Sequence, residues 1–126
     1  MKTKAITLSQ PFASLVAVGA KTILTCPDST AYRGTLFIHA DAEPANFIDP
    51  YHGQVLTEAG MDLDNLQLGA VIAQCCLTEC HLITAANCPC YPEYAFSDFK
   101  PGLFAWKLTE VRMLPEHIPV EGKDGL

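Results

Sequence analysis

Lys21 and Glu79 have the side chains best suited to acid–base chemistry in this chain. Lys21 follows a predicted helix, and an ammonium group partly buried in a cleft there would have a lowered pKa and could act as a base. Glu79 ends an apolar strand, where a raised pKa would suit a general acid or base. Cys26, five positions after Lys21, is a possible nucleophile if a partner generates its thiolate. The structural alternatives are a solvated lysine favouring the helix dipole and a surface carboxylate in a salt bridge.

Three further side chains could contact a ligand without reacting with it. The guanidinium of Arg33 could hold a phosphate through two hydrogen bonds, or pair with a neighbouring carboxylate. The ring of Tyr32 could stack on a base, or be a half-buried residue of a sheet. The amide of Gln10 could read a base edge, or cap a helix together with Ser9.

Six cysteines raise the question of disulfides or zinc; they are Cys26, Cys75, Cys76, Cys80, Cys88 and Cys90. Because no secretory signal is recognisable, reduced and buried thiols are favoured over disulfides. The possible zinc ligands are Cys80, His81, Cys88 and Cys90, but their spacing contains no C-x2-C pair. We therefore predict neither a metal site nor a cofactor.

Two helices are predicted to position these residues. The first begins near Ser9, has Pro11 in its first turn and ends at Gly19, which tolerates the left-handed conformation of a helix C-terminus. The second is predicted from Pro50 to Ala59 and ends at Gly60. No apolar run is long enough to cross a bilayer, so we expect a cytoplasmic protein without membrane contact.

Alternating apolar residues predict several short strands around these helices. The clearest is residues 69–83, which is apolar and β-branched as a central strand would be. Others are Thr35–His39 and Leu103–Glu110, with a possible extension to Leu114 and a last strand at Ile118–Val120. These elements predict an α+β fold with a small mixed β-barrel.

Four segments in order resemble the ASCH domain family, small relatives of the PUA fold: QPFASL, GAKT, YRG followed by LFIHA, and PGLFAW. The resemblance extends from Ala5 to the closing GKDGL and implies a single ASCH-like domain over residues 1–126. It also implies RNA or modified nucleosides as ligands. Some members are reported as N4-acetylcytidine amidohydrolases or as ribonucleases, and Glu79 resembles the acidic residue of the amidohydrolases.

The chain departs from this family at two motif positions. The family signature Gly-x-Lys-x-x-Glu-x-Arg corresponds here to Gly19, Lys21, Leu24 and Cys26. In the amidohydrolases a threonine thought to be the nucleophile stands at the acidic position. Leu24 has no nucleophilic atom, so that mechanism does not transfer unchanged.

Charge is distributed unevenly along the chain, whose net charge is −6. Residues 1–33 carry four basic side chains and one acidic, residues 34–99 carry nine acidic and no Lys or Arg, and the remainder is balanced. A duplex-DNA binder needs a broad basic surface, which this composition disfavours.

Three functions follow from these features. The first is a binding domain for RNA, a nucleotide or a modified nucleoside in a cleft near the first helix, using Gln10, Lys21, Tyr32 and Arg33. The second is an amidohydrolase in which Lys21 and Glu79 activate water. The third is a protein-interaction module whose acidic face meets a basic partner. The sequence does not determine the oligomeric state.

Overall fold

Residues 4–84 and 102–119 are described by the computed structural model, which shows two helices and one five-stranded sheet in them. The helices are α1 (Phe12–Ala17) and α2 (Pro50–Glu58), and a single 3-10 turn covers Leu63–Asn65. The strands are β1 (Lys4–Leu8), β2 (Ile23–Cys26), β3 (Gly34–Ala40), β4 (Ala70–Leu82) and β5 (Phe104–Pro119). The predicted α+β class is confirmed, with the sheet curled into a half-barrel.

The sheet has the order β1-β3-β4-β5-β2, so the predicted central strand is in the middle. β1 pairs with β3 in parallel, and the other neighbouring strands are antiparallel. Within the described segments β1 and β2 are the two edges, although only α1 and short connections separate them in sequence. Two strands that follow one another in the sequence thus lie on opposite edges of one curled sheet.

The last strand differs from its prediction. β5 is continuous from Phe104 to Pro119, whereas the pattern predicted a strand over Leu103–Glu110 with an optional extension to Leu114, and a separate strand at Ile118–Val120. Three register shifts interrupt its pairing with β4. Pro115 lies in the longest of these shifts, between the paired residues Met113 and Ile118. Residues in this interval have no register partner on β4, so the N–H that proline lacks is not needed for strand pairing. Register shifts of this kind therefore accommodate Pro115 within one continuous strand.

Both ends of α1 follow from local hydrogen bonding. At its start the amide oxygen of Gln10 accepts the N–H of Ser14 at 3.1 Å, which satisfies a donor of the first turn. At its end Gly19 has φ +83°, and the N–H of Ala20 bonds the carbonyl of Leu15 at 3.0 Å, as in a Schellman motif. The prediction that the first helix ends at Gly19 is confirmed.

The second helix also agrees closely with its prediction. Asp49 is its N-cap and accepts the N–H of Tyr51 at 2.9 Å, and Pro50 occupies the first turn, where no N–H is needed. The helix ends one residue before the predicted Ala59, and Gly60 follows with φ +89°.

The main core lies between α1 and one face of the sheet. It includes Ala13 and Val16 of α1 with Leu36, Ile38 and Leu77 of the strands, all buried. A second cluster joins the two helices through Leu15 and Leu56. In the described ranges, no helix has the length and hydropathy that crossing a membrane would require.

Candidate functional site

A cavity of about 490 Å³, called here the edge pocket, lies between the two edge strands. Its lining includes Lys4 and Thr7 of β1, Cys26 at the end of β2, Asp28 in the following turn, and the rings of Tyr32 and Trp106. Because α1 follows the end of β1 and precedes β2, Lys4 and Cys26 mark the end of the sheet away from α1. The edge pocket is therefore at the opposite end from the predicted cleft.

Tyr32 and Trp106 form half-buried aromatic walls that hydrogen bonds hold in place. The hydroxyl of Tyr32 donates to the carbonyl of Thr35, and the indole N–H of Trp106 donates to the carbonyl of Asp28 at 3.1 Å. Both rings also pack against the main core. Fixed aromatic faces of this kind suit a flat, unsaturated ligand, since every nucleobase has a face that can stack.

The edge pocket also carries two opposite charges. The Lys4 ammonium lies 5.1 Å from the centroid of the Tyr32 ring, a distance typical of a cation–π contact. Asp28 lines the same cavity and is exposed. The Lys4 side chain is exposed as well. Both charges are accessible to a ligand.

The thiol of Cys26 contributes a neutral group to this cavity. Burial raises its pKa from 9.0 to about 11, with Cys80 and Asp28 adding to the rise and the Lys21 ammonium opposing it. A thiol with this pKa is protonated near neutral pH, so it is a poor nucleophile. The burial of Cys26 and the raised pKa of its thiol therefore disfavour the predicted nucleophilic role.

Lys21 is buried rather than solvated, with 4% of its surface exposed. Its backbone N–H bonds the carbonyl of Leu15 at 3.1 Å, and its ammonium lies 5.8 Å from the centroid of the Phe12 ring. The alternative of a surface lysine is wrong. Lys21 lines neither the edge pocket nor the two cavities beside α1 described below.

Gln10 is committed to structural hydrogen bonds. Besides capping α1 with its oxygen, it donates its amide N–H to the carbonyl of Gln67 at 2.8 Å, and the residue is 3% exposed. Of the two roles predicted for Gln10, the structure contains the bond to the first turn of the helix. The predicted cap at Ser9 is wrong, because the helix begins at Phe12 and its N-cap position is Pro11, without a side-chain cap bond.

Arg33 and Tyr32 are neighbours in sequence, but only Tyr32 lines the edge pocket. The Arg33 guanidinium donates to the carbonyls of Thr30 and Tyr32 at 2.9 and 2.8 Å, closing the turn before β3. It remains exposed, and it uses one terminal nitrogen for both bonds. The structure therefore supports a turn-stabilising role for Arg33.

The two positions central to the amidohydrolase hypothesis have unfavourable environments. Glu79 is exposed on β4, where Lys107 of β5 is its register partner, so the apolar surroundings that were predicted for it are absent. Leu24, at the position of the family nucleophile, is a core residue with 2% exposure.

Two smaller cavities lie beside α1. One, of about 420 Å³, is lined by Gln10 and by three acidic side chains, Asp41, Glu43 and Asp49. This charge would repel a phosphate. The other, of about 100 Å³, is too small for a nucleotide. The edge pocket is the cavity of these three that best suits an anionic aromatic ligand.

The described residues contain no group of three or more His, Cys, Asp or Glu side chains that could hold a metal ion. Of the possible zinc ligands, Cys80 and His81 are on β4, while Cys88 and Cys90 lie outside the described residues. The predicted zinc alternative therefore stays untested at those two positions.

Sequence reasoning missed most of the edge pocket. Of these residues the sequence indicates only Tyr32 as a ligand contact, while Lys4 and Asp28 enter only the count of charges and no local motif includes Trp106 as a ligand contact. Trp106 is the only tryptophan of the chain, and tryptophan is enriched at binding sites, which was the available signal.

Comparison with known proteins does not identify this site. No protein-family model matches the chain, and no curated protein shows significant similarity to it.

Proposed function

We propose that this chain is an ASCH-type, PUA-like binding domain that holds a nucleotide, free or at an end of single-stranded RNA, in the edge pocket. The observation that carries the proposal is the combination of two aromatic walls and an accessible ammonium group in one cavity. A base would stack on Trp106, and Lys4, which lies over the Tyr32 ring, would hold the phosphate. The resemblance of the sequence to the ASCH family supports the same class of ligand.

The size of the edge pocket supports a ligand of this kind. Its volume of about 490 Å³ is within the range of about 300–1,000 Å³ common for small-molecule sites. The polar groups at its margin are few and convergent, while Leu36 and Leu77 contribute an apolar floor. A small number of polar groups on an apolar surface is the usual composition of such sites.

A binding function is favoured over hydrolysis because the reacting groups of the hydrolase hypothesis are poorly placed. Leu24 is in the core, Glu79 is exposed, and the thiol of Cys26 is protonated at neutral pH. Binding requires none of these residues to react.

The proposal is tested by titrating the protein with the 5′-monophosphates of adenosine, cytidine, guanosine and uridine while following tryptophan fluorescence. Trp106 is the sole tryptophan, so saturable quenching reports a base near this wall. We expect saturation with at least one nucleotide and its loss in Tyr32→Leu, with Tyr51→Leu on α2 as the matched tyrosine control. Absence of saturation with all four nucleotides would contradict the proposal.

Lys4→Gln tests the role assigned to the ammonium group. Loss of a charge-assisted hydrogen bond should weaken binding of a nucleotide by about tenfold and leave binding of the corresponding nucleoside unchanged. Lys107→Gln, an exposed lysine on β5 outside the pocket lining, is the control. An equal loss for nucleoside and nucleotide would show that Lys4 does not contact the phosphate.

A further inference from the structure

We infer that the edge pocket selects nucleotides whose base carries an exocyclic amino group, and that Asp28 makes this selection. The inference rests on the proposed function and concerns its specificity. It begins from the two charged residues Lys4 and Asp28, which line one cavity and are both exposed.

A ligand that satisfies both charges must be anionic at one end and donate hydrogen bonds at the other. A nucleotide with an amino-bearing base has these two ends, because its phosphate can meet Lys4 and its N–H groups can meet a carboxylate. Uracil and hypoxanthine carry a carbonyl oxygen in place of the amino group of cytosine and adenine. That oxygen would face the Asp28 carboxylate with no proton between them, which is repulsive.

The position of Asp28 relative to the aromatic wall makes this contact geometrically reasonable. Its backbone carbonyl accepts the indole N–H of Trp106 at 3.1 Å, which anchors the residue directly at the edge of that ring. A base stacked on the indole therefore has an edge close to Asp28, which also lines the cavity. Asp28 also lies near enough to Cys26 to affect the ionisation of its thiol.

The other polar groups of the cavity do not discriminate in the same way. The hydroxyls of Thr7 and Thr30 can donate as well as accept, so they tolerate either an amino group or a carbonyl oxygen. The Cys26 thiol is neutral and a weak donor. Of the side chains that the described residues contribute to the lining, only that of Asp28 is restricted to accepting hydrogen bonds.

The experiment compares two pairs of ligands that differ in this one substituent, cytidine with uridine 5′-monophosphate and adenosine with inosine 5′-monophosphate. Binding is followed by Trp106 fluorescence in the wild type and in Asp28→Asn. We expect the amino-bearing member of at least one pair to bind about tenfold more tightly, and Asp28→Asn to abolish that preference. Asn presents both a donor and an acceptor, and it leaves the backbone carbonyl that holds Trp106.

Asp64→Asn, an exposed acidic residue of the 3-10 turn outside the edge pocket, is the matched control and should keep the preference. Equal affinities within both pairs in the wild type, or a preference that survives Asp28→Asn, would overturn the inference while the binding function stands. Failure of every nucleotide to bind would instead contradict the proposed function itself. The two failures are therefore distinguishable.

Discussion

At the scale of single residues, burial sets the ionisation of two thiols, Cys26 at the edge pocket and Cys75 in the main core. Burial is the largest cause of the raised pKa of each thiol, to about 11 and about 12. Cys75 points its sulfur toward the carbonyl of Leu36 at 3.5 Å. These thiols behave as small, neutral core groups, which agrees with the favoured interpretation of the cysteines as reduced hydrophobes.

The raised pKa values predict alkaline destabilisation with a definite sign. Unfolded thiols ionise near pH 9.0, whereas the folded Cys26 and Cys75 stay protonated until about pH 11 or above. Between these values the folded state binds more protons, so the free energy of unfolding must fall as pH rises. We expect Cys26→Ala with Cys75→Ala to reduce this fall, measured as the unfolding midpoint from pH 7 to 11.

The control for that measurement is Val16→Ala, which truncates another buried side chain without removing a titrating group. It should lower the midpoint equally at all pH values. A double cysteine variant whose pH profile runs parallel to the wild type would show that these thiols do not ionise differently on unfolding.

At the scale of elements, α1 is attached to the sheet by a hydrogen-bonding side chain as well as by packing. Gln10 joins the first turn of α1, through Ser14, to the segment before β4, through Gln67. Its amide therefore links elements that are distant in sequence. This explains why a glutamine predicted as a possible ligand contact is almost fully buried.

Gln10→Ala should destabilise the protein by about 1–3 kcal/mol, because it removes two hydrogen bonds and leaves buried backbone groups unsatisfied. Gln54→Ala on the exposed side of α2 removes only a surface contact with Glu58 and should cost less than about 0.5 kcal/mol. Denaturant unfolding compares the two. Equal effects would mean that the Gln10 bonds add nothing to stability.

At the scale of the whole molecule, the net charge bears on the proposed nucleotide binding and favours a small ligand over an extended RNA. The chain carries −6, and Lys4 is the only Lys or Arg that residues 4–84 and 102–119 contribute to the edge-pocket lining, so most of an RNA would meet a repulsive or neutral surface. This distribution of charge supports contact with a single phosphate group. Extended RNA binding would require basic surface that the composition lacks.

Two measurements test this limit. Lengthening a single-stranded RNA beyond its first nucleotides should not increase affinity, and the slope of log affinity against log salt should be about −0.7, the value for one contact. Gel-shift or fluorescence titrations at several salt concentrations provide both. A slope several times steeper would show a larger basic footprint.

The sequence by itself determined the local elements of this protein. The signals were short-range: proline near the start of each helix, glycine after its end, and alternation along the strands. They act within a few residues, so Gly19 and Gly60 could be assigned without knowledge of the fold. The α+β class followed from counting these elements.

Only the tertiary structure decided where the site lies. The indole of Trp106 and the carbonyl of Asp28 are 78 positions apart in sequence, and they meet because β2 pairs with β5 at one edge of the curled sheet. Lys4 reaches the same cavity from the other edge. Long-range strand pairing depends on the packing of the complete sheet, so no local pattern around these three residues could have predicted that they share a pocket.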